Sequence, residues 1–301
     1  MIIPWLRGFL SRELAPLTWT LLILNCYVFV MTYDSKNNHH QEFFADNKKF
    51  ELTARLYFQY KGNSGLPHSD QVFSYAMQGL RDYQFISQAD QLTFQGDQIQ
   101  IHEWQQDLVQ FRENINQRPM QIFGLSWNKK DPLTWITYQF MHAGIGHLLG
   151  NMLLLFIFAG ALESLIGGFG LVAIYILSGI AGAIGFLTLG ESTLAPMVGA
   201  SGSLSGIMAF YAVYENKQRI PFFYFLSPLR GFYGKIWLSK WMIFPLFFVA
   251  DIAAYLSTTK EVGSGVAYTA HIGGMVFGVL SGLAVKKWKI HHSDTESKVM
   301  T

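Results

Sequence analysis

Apolar residues fall in long blocks along this 301-residue chain. Runs of about 20, the length that crosses a bilayer core as a helix, occur six times, at 15–33, 146–166, 169–189, 199–214, 241–257 and 267–285. The pattern predicts an all-α polytopic membrane protein, a six-helix bundle. Three of the runs are rich in Gly and Ala rather than Leu, as in helices buried among other helices in lipid. Between the first and second runs the pattern changes. Residues 34–132 hold 12 acidic and 10 basic residues and no long apolar run. Within them FELTARLYFQY and QVFSYAMQGLRDYQF space their apolar positions three and four apart, which predicts short amphipathic helices. The segment is too long for a structureless loop, so it predicts a small extramembrane insert domain between helices 1 and 2.

Composition agrees with the lipid reading. Half the residues are apolar and 14% are charged, against about 25% in soluble domains. A net charge of +2 carries no nucleic-acid signature. The lone cysteine, Cys26, sits in the first run, so no intrachain disulfide can form. Arg7 and Arg12 before that run imitate a signal peptide. The run nevertheless ends in Met31-Thr-Tyr-Asp34, with no small-residue cleavage site, and reads as an uncleaved anchor.

Lys and Arg in short loops set orientation. They gather in the N-terminal tail, at Lys217, Arg219, Arg230, Lys235 and Lys240, and at Lys286, Lys287, Lys289 and Lys298. Six spans put all three groups on the cytoplasmic side, whereas the opposite short loop, 258–266, holds only Lys260. The expected division is a cytoplasmic tail (1–14), the first helix (15–33), an external insert (34–132), a membrane core with helices 2–6 (133–287) and a second cytoplasmic tail (288–301).

Polar side chains inside spans are costly unless paired and mark candidate chemistry. His147 and Asn151 in GHLLGNMLLLF are four apart and share a helix face. They either bond to neighbouring helices or aim donors at a developing oxyanion. Ser201 in GASGSLSG opens the fourth span, where free helix N–H groups favour negative charge. The same string also suits close helix packing, the role expected of Ser203 and Ser205. His271 is followed by Gly274, Gly278 and Gly282, so one face of the last helix lacks side chains and another helix can approach it. If that helix is the fourth, His271 reaches Ser201 and can serve as its general base. Asp251, near the middle of the fifth span, reads as a neutral hydrogen-bonded residue or as a third catalytic member. Its depth argues against the second, and it is left out of the site. His39, His40, His68 and His102 have no partners at metal-ligand spacing, so no metal or cofactor is expected.

The segments HAGIGHLLGNM (142–152), GALESLIG (160–167), GASGSLSG (199–206) and AHIGGMVFG (270–278) together resemble the rhomboid intramembrane serine proteases. The resemblance covers about 127–287 and the first span by position, but not 34–126. It implies a Ser201–His271 catalytic dyad and an oxyanion hole formed by His147, Asn151 and the Ser201 backbone N–H. It also implies a structural role for Gly160 and Glu163. Two features depart from the family pattern. Ser205 stands where many members place an aromatic against the catalytic histidine, and Trp135 is followed by Ile136 rather than arginine.

The expected function is endopeptidase cleavage of transmembrane substrate proteins near the external face of a bacterial inner membrane. The alternatives are a catalytically silent relative that binds membrane proteins, and a transporter or channel relaying protons through its histidines. A transporter would show two related halves, which the sequence lacks. Expected partners are transmembrane substrates and the lipid bilayer.

Overall fold

The computed structural model describes residues 2–4, 15–33, 46–127, 131–190, 195–214, 219–225, 233–242 and 267–299. Asp251, loop 258–266 and all but the first two residues of the expected fifth span lie outside these.

Residues Ile2–Pro4 form a short strand, β1, and Pro16–Thr32 form the first apolar helix, α1. Proline at its first position suits a site where no N–H is needed. Thr18, Leu21, Leu22, Asn25 and Phe29 are buried along one face of α1, a helical spacing. Ile23, Tyr27, Val30 and Met31 on the other faces are exposed, as a lipid-facing surface requires.

The insert is helical, as its spacing predicts. It contains α2 (Asn47–Tyr60), α3 (Val72–Arg81), α4 (Tyr83–Gln88) and α5 (Gln98–Asn116). Asp46, Asp82 and Asp97 accept hydrogen bonds from the first turns of α2, α4 and α5 respectively, the usual work of an N-cap aspartate. Leu56, Tyr57, Leu80, Phe85, Ile86, Trp104 and Leu108 make a core distinct from that of the apolar helices. At its centre the Trp104 indole N–H donates to Thr53 Oγ1 at 2.9 Å.

Two short helices, α6 (Pro119–Phe123) and α7 (Thr134–Thr137), and a 3₁₀ turn at Tyr138–Phe140 lead into the core. The next helix, α8, runs Ile145–Leu189 and is broken at Gly167, whose φ of 77° favours glycine. Its limbs, 145–166 and 168–189, are the second and third apolar runs, each about 33 Å long. The chain folds back at the break: His147 on the first limb meets Gly199, and Gly182 on the second meets the same Ala270 carbonyl and Tyr138 hydroxyl as Gly202. Next comes α9 (Ser201–Tyr214), buried over almost its whole length and so the central helix. The last helix, α10, spans Tyr268–Val299. Among the described residues, two helices, Ile145–Leu189 and Tyr268–Lys289, are long and apolar enough to cross a membrane, and Pro16–Thr32 is a shorter apolar helix.

The structure corrects the sequence reading in one place. The fold is mostly but not purely helical, since Arg219–Phe225 (β2) and Tyr233–Ser239 (β3) pair antiparallel and β1 adds to the other edge of β2. RIPFFYF and YGKIWLS are aromatic and β-branched stretches suited to strands, but their Lys and Arg made them read as a charged loop. The last helix runs on to Val299, through most of the segment expected as the second tail.

The glycine face of α10 meets α9. A side chain on Gly274 would strike the Gly202 carbonyl, and one on Gly278 the Gly206 carbonyl. The backbones touch, and no side chain larger than hydrogen fits at either level.

Candidate active site

Ser201 is the first residue of α9, and the first intrahelical bond runs from Leu204 N–H to the Ala200 carbonyl at 2.9 Å. The N–H groups ahead of it therefore lie at the positive end of the helix. Gly199 approaches Ser201 in a left-handed conformation, φ 126°, which positions the turn and leaves room for other side chains. A Cβ there would stand 2.7 Å from His147 Cε1, 2.8 Å from His147 Nε2 and 3.5 Å from Asn151 Nδ2. Both predicted oxyanion donors thus converge on the residue two before Ser201, held on the first turns of α8 at helical spacing. Asn151 is buried, and its Nδ2 has no hydrogen-bond partner among the described residues. A buried amide donor without an acceptor costs about 1–3 kcal/mol. Its neighbourhood is therefore suited to an incoming oxygen.

His271 lies on the first turn of α10. The carbonyl of Ala270, its neighbour, lies 3.4 Å from where a Cβ on Gly202 would sit, so the two helices meet one residue from both Ser201 and His271. His271 and His147 are near enough to interact electrostatically. The structure thus brings Ser201, His147, Asn151 and His271 to one end of the helical core, where Ser201 and His271 are half-buried. Asp251 lies outside the described residues.

Four residues here escaped the sequence reading. Tyr268 meets the His271 ring edge-on, 6.1 Å between centroids at 86°. It provides an aromatic neighbour for the imidazole although position 205 is serine. His142 is buried and packs edge-on against His147 at 5.3 Å, so it fixes one side of that ring. Tyr138 accepts the Gly199 N–H on its carbonyl at 2.9 Å. Gln139, fully buried, accepts the Ser203 hydroxyl on Oε1 at 3.0 Å. Ser203 is therefore bonded as well as packed. A glutamine in the apolar stretch TYQFMH was the available signal.

At the far end of the core, Glu163 is buried and holds α1. Its carboxylate accepts from Leu17 N–H at 3.0 Å, Thr18 N–H at 2.7 Å and the Thr18 hydroxyl at 2.7 Å. It acts as the cap that Ala15 cannot supply to α1.

Comparison with known proteins places this architecture. Rhomboid protein 1, mitochondrial, of Saccharomyces cerevisiae is 28% identical over 152 residues, covering 49% of this chain and 40% of that protein. The rhomboid relative YdcA of Bacillus subtilis is 41% identical over 76 residues, covering 25% of this chain and 38% of its own. The chain thus spans about two fifths of the length of the curated relatives it matches. The Rhomboid domain family model matches residues 129–288, more than half of the chain. That match takes in the whole cluster around Ser201 and excludes the insert helices. With its apolar helices and this domain, the chain is an integral membrane protein and belongs to the rhomboid family, which includes serine proteases.

Proposed function

We propose that the chain is an intramembrane serine endopeptidase that cuts transmembrane proteins near the external membrane face. The observation that carries this reading is the buried Asn151 amide, without an acceptor among the described residues, beside the Gly199–Ser201 turn. In the reaction, Ser201 Oγ attacks a peptide carbonyl carbon while His271 takes the hydroxyl proton. The negative oxygen of the tetrahedral intermediate accepts hydrogen bonds from Asn151, His147 and the Ser201 N–H. His271 returns the proton to the leaving amine as the C–N bond breaks. Water, deprotonated by His271, then attacks the ester, and Ser201 leaves with its proton restored.

The proposal includes six spans with both termini cytoplasmic, since the Lys and Arg clusters fall on one side of such a topology. It also includes the division at 34–132 into an external insert, which the separate core of α2–α5 supports. The membrane in this proposal is a bacterial inner membrane; of the two relatives, one is bacterial and the other mitochondrial. The test is labelling of the detergent-purified chain by a fluorophosphonate. Wild type is expected to label and to cleave a model transmembrane substrate, and Ser201→Ala to do neither. Cleavage retained in Ser201→Ala refutes the assignment.

A further inference from the structure

We propose that Tyr138 and Gln139 are positioning residues that clamp the segment carrying Ser201 from both sides. This rests on the reading of Ser201 as the nucleophile. Two adjacent residues grip the chain two positions before and two positions after that serine. The Tyr138 carbonyl takes the Gly199 N–H at 2.9 Å, and Gln139 Oε1 takes the Ser203 hydroxyl at 3.0 Å. Between these grips lies Ala-Ser-Gly at a helix start, where i→i−4 bonds are missing and glycine allows wide backbone freedom. Nothing in the segment itself would hold a serine hydroxyl to a fixed direction.

The clamp is in turn anchored on backbone carbonyls and on the Tyr175 hydroxyl. Tyr138 OH donates to the Gly179 carbonyl at 2.6 Å. Gln139 Nε2 donates to the Trp135 carbonyl at 2.9 Å and to Ile176 at 3.4 Å. The Gln139 carbonyl accepts from Tyr175 OH at 3.1 Å, and Tyr175 OH accepts from Asn25 Nδ2 at 3.4 Å. The network therefore runs from α1 through the second limb of α8 to the first turn of α9. Its space is kept open by Gly179, where any side chain would collide with the Gln139 amide. A serine inside a helix commonly bonds the carbonyl one turn back, yet Ser203 spends its hydroxyl on Gln139. Hydrogen bonds in so buried a chain reinforce one another, so cutting the Gln139–Ser203 link also weakens the neighbouring grip on Gly199.

The experiment compares wild type, Ser203→Ala, Gln139→Met and the double variant, all as full-length protein in detergent. Methionine keeps roughly the volume of glutamine without its hydrogen bonds. Three readouts are taken: kcat and KM on a transmembrane substrate, the fluorophosphonate labelling rate per folded molecule, and the thermal midpoint. A nucleophile displaced by a fraction of an ångström loses between about ten- and a hundredfold in rate. The expected result is a fall of that size in kcat and in labelling rate, with KM within about twofold. The double variant should match Gln139→Met alone, since both break one link. Ser203→Ala removes a single oxygen, so this arm can be read even if Gln139→Met folds poorly. Labelling of folded Ser203→Ala at the wild-type rate, or losses that multiply in the double variant, overturns the clamp alone. A wild type that does not label at Ser201 overturns the nucleophile reading and the clamp with it.

Discussion

Asn151 and His147 present nitrogen atoms to the same turn but from different surroundings. Asn151 is buried, whereas His147 is open to the exterior. Removing an oxyanion donor lowers the rate by about 10²–10³. Asn151→Ala and His147→Ala should each show a kcat loss of that order with little change in KM, measured on a transmembrane substrate. Full turnover in both variants would make the two residues structural. Gly199→Ala should be worse than either, because its methyl would meet the His147 ring and its backbone angle disfavours any side chain. This scale was half legible in the sequence. Ser201, His147, Asn151 and His271 stand out because polar groups are rare in apolar runs. The Gln139–Ser203 bond joins residues 64 apart in sequence, and no local pattern announces such a pair. Tyr268 was hidden for another reason, since an aromatic at a span's end reads first as an interface residue.

Helix contacts were more legible than hydrogen bonds. The spacing of Gly274, Gly278 and Gly282 predicted a bare face on α10, and that face lies against α9. The partner helix and the level of contact required three dimensions, because Gly202 and Gly206 look like any other small-residue stretch. Gly278→Val should force α10 away from the Gly206 carbonyl, at a cost of about 1–3 kcal/mol or more. His271 would move with its helix, so activity per folded molecule should fall as well as the thermal midpoint. A variant that loses stability but keeps full specific activity would show that α10 does not position the histidine. The small sheet was illegible because β1 is three residues long. So short a segment has no periodicity to detect, and its pairing with β2 is a long-range event.

At the scale of the whole molecule, the proposed reaction centre sits at one end of the helical core and Glu163 at the other. A substrate helix hides its carbonyls in i→i−4 bonds and must unwind before attack. Helix breakers lower that cost by about 1 kcal/mol for Gly and about 3 kcal/mol for Pro relative to Ala. Mass spectrometry on substrates with the breaker moved along the span should place cuts near the external end, close to small residues. Cuts clustered in the cytoplasmic half would contradict the proposed orientation. The Glu163 contact has a further consequence, concerning length. The carboxylate that caps α1 lies 145 residues further along the chain than Thr18, and the helices of the insert occupy much of the interval. Closing a loop depends only logarithmically on its length, with each doubling costing about 0.6 kcal/mol. Ten flexible residues added at either edge of the insert should therefore leave the thermal midpoint nearly unchanged. Glu163→Gln, which leaves the spacing intact but weakens the cap, should lower it. A side-chain latch of this kind frees the chain between its two halves to vary in size, so a helical core could acquire or exchange an entire inserted domain without being rebuilt.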